Sequence, residues 1–171
     1  QLPEAETLTS SGAFANFCFG QGELLATPIQ IAAMINTIAA GGIWREPLFL
    51  ECTLDETTGE SLTALAHRGA RRVFSAQTAR ALRELLASVV TEGTGHEAAP
   101  TEGTAAGKTG TAQTGQFAAG KELKNYWFAG FVQAEQPRYT IVVLQDTQAE
   151  PAFSSAAIFA RVAAGLEILA P

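Results

Sequence analysis

Two neighbouring segments with the composition of β-strands most constrain how this 171-residue chain can fold. Residues 126–132 and 139–145 are rich in aromatic and β-branched side chains, which favour strands. The polar segment between them contains Pro137, which is typical of a turn. We therefore predict an antiparallel hairpin, and residues 104–113 can form a neighbouring strand.

The best-marked helix begins at Thr27. The sequence Thr-Pro-Ile-Gln supplies an N-cap hydroxyl, a proline at the first helical position and the glutamine of a capping box. Gly41-Gly42 provides the stop. Between them, apolar residues recur at the i, i+3, i+4 and i+7 spacing of one helix face, at Ile31, Met34, Ile35 and Ile38. We predict that this face packs against another element.

Two further amphipathic helices follow from caps and apolar spacing. Ser75 is the predicted N-cap of one helix, which ends at Gly93, and Ser154-Ser155 precedes the other. The residues predicted on the apolar side are Leu82, Leu85, Leu86, Val89 and Val90 in the first helix, and Phe159, Val162, Leu166 and Leu169 in the second.

A smaller surface hairpin is predicted at residues 48–54 and 62–66, with a turn through residues 55–59. No internal repeat or linker divides the chain. The sequence therefore predicts a single α+β unit, in which an antiparallel sheet packs with helices.

Charge and spacing exclude several classes of partner. Eleven Lys and Arg against 17 Asp and Glu give a net charge of -6, so we expect no binding to nucleic acid. Cys18, Cys52, His67 and His96 do not have the spacing of a metal motif, and we expect no metal or cofactor. No run of about 18 apolar residues indicates a membrane span.

A single lysine lies among hydroxyls and glycines in Gly-Lys-Thr-Gly-Thr-Ala-Gln at residues 107–113. In an extended strand Lys108 and Gly110 share one face, and Thr109 and Thr111 share the other. Such an edge can offer backbone groups to an extended peptide, hydroxyls to its terminal carboxylate and a fixed positive charge. A Gly-Thr-rich turn with an exposed lysine is the simpler structural interpretation of the same residues.

A phosphate-binding P-loop is a competing interpretation, because Gly-Lys-Thr closes that motif and residues 139–146 resemble a strand ending in a metal-binding Asp. The motif requires Gly-x-x-x-x-Gly-Lys-[Ser/Thr]. Here the segment from Gly103 to Gly107 is one residue short, and Glu102 occupies the position of the first glycine. The spacing therefore disfavours a nucleotide site.

Lys108-Thr109-Gly110 resembles the third motif of penicillin-binding proteins and serine β-lactamases. Gly-Gln-Gly at 20–22 and Thr-Pro-x-Gln at 27–30 resemble the segments that precede it in class B penicillin-binding proteins, which argues against a β-lactamase. Gly-Thr-Gly at 93–95 and Trp-Phe-Ala-Gly-Phe at 127–131 resemble the loop before that strand and the hairpin after it. The ordered match extends over nearly the whole chain.

The resemblance implies a β-lactamase/transpeptidase-like fold and acyl transfer from the D-Ala-D-Ala end of a peptidoglycan stem peptide, which β-lactams mimic. It implies that Lys108 supplies positive potential and that the hydroxyls of Thr109 and Thr111 bind the substrate carboxylate. The backbone N–H of Thr111 would form half of the oxyanion hole. Gly110 would let the ligand lie against the strand. Lys108 and Thr111 are thus the expected catalytic residues, whereas Gln21 and Gln30 are interpreted as scaffold.

The family's Ser-x-x-Lys and Ser-x-Asn motifs do not occur in the sequence. We expect both to precede Gln1 in a longer protein, so that residues 1–171 are the C-terminal portion of a transpeptidase domain. The chain by itself is expected to be inactive. We also expect it to self-associate or to be partly disordered, because its sheet would expose apolar faces that the missing N-terminal half covers.

The same resemblance implies that the longer protein acts at the extracytoplasmic face of the bacterial cell membrane. The alternative is a catalytically inactive module that binds stem peptides or β-lactams. The motifs upstream of Gln1 would distinguish the enzyme from the binder.

Overall fold

The computed structural model describes residues 3–22, 24–50, 52–64, 69–147 and 149–169. Within these ranges the helices are α1 (Ser11–Cys18), α2 (Pro28–Ala39), α3 (Ala76–Thr91) and α4 (Ser155–Leu169). The strands are β1 (Ile43–Arg45), β2 (Cys52–Leu54), β3 (Ser61–Ala64), β4 (Ala70–Arg72), β5 (Ala105–Ala118), β6 (Lys121–Val132) and β7 (Tyr139–Thr147).

The main sheet has the order β5-β6-β7 and is antiparallel throughout, which confirms the predicted hairpin and its neighbouring strand. Strand β5 continues five residues beyond the predicted end at Gln113 to Ala118. In this continuation the pairing with β6 is irregular between Gln113 and Phe117. The sequence pattern did not predict a strand across this irregularity. The turn that follows has positive φ at both Ala119 and Gly120, which is the signature of a type I′ hairpin.

Helices cover both faces of this sheet. On one face the fully buried rings of Phe128 and Phe159 meet edge to face, with their centroids 4.8 Å apart. Ser155 anchors α4 there, because its hydroxyl donates to the carbonyl of Tyr126 at 2.9 Å and accepts from Gln145 Nε2 at 2.8 Å. On the other face α2 and α3 pack on the sheet through Ile31, Ile35, Ile38, Leu86, Ala106, Ala129, Phe131 and Val142.

The predicted helix starts are confirmed. The hydroxyl of Thr27 accepts from the N–H of Gln30, and Gln30 Oε1 accepts from the N–H of Thr27, which completes the capping box. Ser75 caps α3 by accepting from the N–H of Thr78 at 3.0 Å. Ser154 accepts from the N–H of Ala157 at the start of α4.

One predicted core residue in each of these helices is exposed instead: Met34 in α2 (53%), Leu85 in α3 (64%) and Val162 in α4 (42%). Each is the i+3 member of its apolar pattern. At 3.6 residues per turn that member lies about 60° to one side of residue i, whereas the i+4 member lies about 40° to the other side. The buried stripe extends toward the second side, where Ile35, Leu86 and Ala163 pack.

Two short hairpins complete the described structure. The pair β2–β3 confirms the predicted surface hairpin. Residues 48–50 are not a strand, and residues 51, 65 and 66 of the prediction lie outside the described ranges. In its turn, backbone N–H groups of Thr58 and Thr57 donate to the Asp55 carboxylate and lower its pKa. The pair β1–β4 was not predicted, since three-residue strands are too short to show alternation.

Because helices cover both faces of the main sheet, that sheet does not present the bare apolar faces expected from the sequence. Self-association of the chain stays a prediction. Exposed apolar side chains lie instead on helices, turns and the β5–β6 hairpin, as at Phe14, Phe19, Leu25, Met34, Phe49, Leu85, Phe117 and Phe153. Among the helices of the described ranges, none has the length and hydropathy needed to cross a bilayer. His67 and the side chain of Leu169 lie outside what the structure describes.

The contrast between Phe159 and Val162 on α4 is testable. Phe159→Ala leaves a cavity against Phe128 and is expected to lower the free energy of unfolding by about 3–5 kcal/mol. Val162→Ala at the exposed position is expected to change it by less than about 0.5 kcal/mol. Urea unfolding of both variants measures the difference, and equal losses would show that α4 is packed in another rotation.

Candidate active site at the edge of strand β5

The predicted site residues lie in the middle of β5, at the edge of the main sheet. Lys108, Thr109, Gly110 and Thr111 are paired on one side with residues 126–129 of β6. Among the strands of the described ranges, none pairs with the opposite side of β5. The sequence thus places a lysine, two hydroxyls and a glycine on an open strand edge.

Two side-chain contacts show which backbone groups face this open edge. Gln21 Nε2 donates to the carbonyl of Thr111 at 3.0 Å, and Lys108 Nζ donates to the carbonyl of Thr109 at 2.9 Å. In an antiparallel sheet the polar backbone groups of successive residues point to alternate edges. Thr109 and Thr111 therefore direct their N–H and C=O groups away from β6, where an added peptide strand can reach them.

The side chains gather around the hydroxyl of Thr109. Strand alternation predicts that the side chains of Lys108 and Thr109 lie on opposite faces of the sheet. The Lys108 ammonium nevertheless reaches past the edge of β5 and donates to Thr109 Oγ1 at 3.3 Å. The hydroxyl of Thr94 lies 3.1 Å from the same oxygen. Thr111 is exposed two residues further along the strand. The structure thus brings the four predicted residues together and adds Thr94 to them.

The loop that carries Thr94 is held by close packing. A Cβ on Gly95 would lie 3.0 Å from the Val89 side chain and 3.1 Å from the Phe128 ring. The N–H of Gly95 donates to the carbonyl of Val89 at 3.0 Å, at the C-terminal end of α3. A Cβ on Gly93 would meet backbone atoms of Val89 at 2.9 Å. Both glycines therefore allow the close approach that brings Thr94 to β5.

Gln21 was interpreted as scaffold and lies at the site itself. It sits between Gly20 and Gly22, which both have positive φ, so the loop needs glycine at these positions. Its side chain joins this loop to Thr111, which is 90 residues away in the sequence. Gln30, by contrast, takes part in the capping box of α2. The flanking glycines were the sequence signal for Gln21, but its partner was not visible.

A polar cavity of about 530 Å³ continues from Thr111 along the strand. It lies between the Gly20–Gly22 loop and the irregular part of β5, and it is lined by Asn16, Phe19, Gln21, Gly22, Gln113, Thr114 and Gly115. A larger groove of about 740 Å³ lies beside α3 and contains none of the four predicted site residues.

The chain belongs to the penicillin-binding protein transpeptidase family. Residues 2–164 match the family model described as the penicillin binding protein transpeptidase domain. Penicillin-binding protein PbpB of Mycolicibacterium smegmatis is 36% identical over 172 residues, which cover 92% of this chain and 26% of that protein. Peptidoglycan D,D-transpeptidase FtsI of Escherichia coli is 33% identical over 159 residues, covering 89% of this chain and 25% of FtsI.

Solved structures agree with this assignment and with the predicted fold class. The imipenem acyl-enzyme complex of penicillin-binding protein A from M. tuberculosis has a TM-score of 0.77 and 26% identity, covering 93% of this chain and 35% of that chain. The D,D-transpeptidase domain from Eggerthella lenta has a TM-score of 0.69 and 29% identity, covering 85% of this chain and 33% of that one. The chain spans about a quarter of the length of the curated relatives.

Two glycines near the site are expected to respond differently to alanine. A Cβ on Gly110 would lie 3.4 Å from the Cβ of Trp127, an ordinary contact, so Gly110→Ala should preserve folding. A Cβ on Gly130 would lie 2.4 Å from the carbonyl oxygen of Ala106, so Gly130→Ala should cost about 1–3 kcal/mol through overpacking. Thermal unfolding of the two variants tests this, and a loss as large at Gly110 would contradict the described pairing.

Proposed function

We propose that this segment is the substrate-binding portion of a peptidoglycan D,D-transpeptidase. The observation that carries the proposal is the open edge of β5, where Lys108 and the hydroxyls of Thr109 and Thr111 accompany backbone groups that no strand of the described ranges pairs with. Family membership supports the same reaction class. The substrate is the D-Ala-D-Ala end of a stem peptide, and no metal or cofactor takes part.

An extended peptide binds by adding a strand to β5. Its terminal carboxylate meets the hydroxyls of Thr109 and Thr111 under the positive potential of Lys108. The N–H of Thr111 points to the open edge and serves as half of the oxyanion hole, a contact whose loss typically costs about 2.7–4 kcal/mol in the transition state. Gly110 presents no side chain, so the peptide can lie close to the strand.

The acyl transfer needs a nucleophilic serine in a Ser-x-x-Lys motif, and this motif does not occur in the 171 residues. Residues 1–171 are, in this proposal, the C-terminal portion of the domain, and the preceding portion of a longer protein supplies that serine. The serine oxygen forms an ester with the penultimate D-Ala carbonyl as the terminal D-Ala leaves. An amine of a second stem peptide then takes the acyl group and releases the serine.

The partial coverage of the relatives and the ligands bound in the solved structures support this arrangement. The matched part is about a third of penicillin-binding protein A, whose structures include acyl-enzyme complexes with imipenem and penicillin G. β-Lactams are therefore the second class of ligand that we propose for the longer protein. It acts at the extracytoplasmic face of the bacterial cell membrane, where stem peptides are cross-linked.

Lys108→Ala in the longer protein should slow acylation by benzylpenicillin by about tenfold or more, because one charge-assisted contact to the carboxylate contributes about 1.5–3 kcal/mol. The measurement is intact mass against time. Lys121→Ala is the matched control, since this exposed lysine lies at the far end of the β5–β6 hairpin. The chain of 171 residues alone should gain no adduct. Equal slowing by both substitutions would contradict the assigned role of Lys108.

A non-catalytic binding module is the second candidate, and a longer protein without Ser-x-x-Lys upstream of Gln1 would favour it. It retains the open edge and binds stem peptides or β-lactams reversibly. Benzylpenicillin that binds the longer protein saturably without adding mass would identify this function. A stoichiometric adduct would exclude it.

A further inference from the structure

We infer that Thr94 is a positioning residue that aims the hydroxyl proton of Thr109 at the substrate carboxylate. This inference rests on the proposed function, in which the Thr109 hydroxyl binds the substrate carboxylate. It concerns a residue outside the Lys-Thr-Gly strand, 15 positions earlier in the sequence. Thr94 itself does not contact the peptide in this arrangement.

The argument begins with the valence of a hydroxyl group. A threonine hydroxyl has one proton to donate and two lone pairs that accept. Lys108 Nζ has only protons to offer, so its 3.3 Å contact with Thr109 Oγ1 occupies one lone pair. The 3.1 Å contact between Thr94 and Thr109 can then run in either direction.

An anionic ligand selects one of these directions. If Thr109 donates to Thr94, its only proton is used and its remaining lone pair faces the carboxylate. If Thr94 donates to Thr109, both lone pairs of Thr109 are occupied, and its proton points in the one tetrahedral direction that stays free. In the proposed arrangement the carboxylate, bound at the open edge of β5, lies in that direction. Donors that act on the same oxygen also polarise its O–H bond, which strengthens the hydrogen bond to an anion.

The setting of Thr94 fits a positioning role. Its loop is attached to the end of α3 by the bond from Gly95 to Val89, and Gly95 packs against the buried Phe128 ring. Phe128 is itself the β6 partner of Thr109. One packed unit therefore holds the backbone at both threonines, and this places their hydroxyls 3.1 Å apart.

The test compares two probes on the longer protein, benzylpenicillin and its methyl ester, which lacks the carboxylate charge. Thr94→Val keeps the shape of the side chain and removes the hydroxyl. It should slow acylation by benzylpenicillin about fivefold, roughly the contribution of one hydrogen bond, and leave acylation by the ester unchanged. Thr94→Ser should restore the rate with benzylpenicillin. Thr101→Val is the matched control, since Thr101 is exposed in the same loop and has no hydrogen-bond partner among the described residues.

A double-mutant cycle separates positioning from a structural effect. If Thr94 acts through Thr109, then Thr94→Val should have no further effect in a Thr109→Val background. Equal slowing with both probes, failure of Thr94→Ser to restore the rate, or an additive effect in the double variant would overturn the inference. Absence of any adduct on the unaltered protein would overturn the proposed function, and this inference with it.

Discussion

The packing of one aromatic ring organises the rest of this structure. Phe128 is fully buried in the middle strand of the sheet and meets Phe159 of α4 edge to face. Gly107 of β5 and Gly95 of the Thr94 loop both lie where a Cβ would collide with the same ring. The ring therefore fixes the strand that carries Lys108 and the loop that carries Thr94 relative to each other. The geometry of the site therefore depends on the packing of the core as well as on the hydrogen bonds within the site.

Elements with a local chemical cause were predictable from the sequence. The start of α2 depends on Thr27 and Gln30, which are three residues apart, and the structure reproduces their reciprocal bonds. The rotation of each helix was less predictable. The apolar spacing includes three exposed residues, Met34, Leu85 and Val162, as well as their buried neighbours. The position of the sheet decides which side of each helix's apolar stripe is covered. That position depends on tertiary packing, which periodicity does not encode.

The site shows the same limit at longer range. The lysine, hydroxyls and glycines of β5 are visible as a short motif, because their chemistry is unusual for a strand. The contact of Thr94 with Thr109 spans 15 residues, and that of Gln21 with Thr111 spans 90. Each contact needs the sheet and helices to be assembled before the two groups meet. The motif therefore predicted the candidate strand, but not Thr94 and Gln21, whose side chains contact it.

The open edge of β5 also has to avoid pairing with the wrong partner. Exposed strand edges join readily to other chains, and charged side chains and bulges are common protections. Here Lys108 lies on the edge, Gln21 covers the carbonyl of Thr111, and the pairing is irregular after Gln113. These features oppose a long flat strand. If β5 binds a short peptide as we propose, that peptide uses the groups at residues 109–111 and replaces the amide of Gln21 by exchanging one hydrogen bond for another. Under the proposed function this protection leaves the backbone groups of residues 109–111 within reach of a short peptide, whereas a longer strand would also have to follow the irregular part of β5.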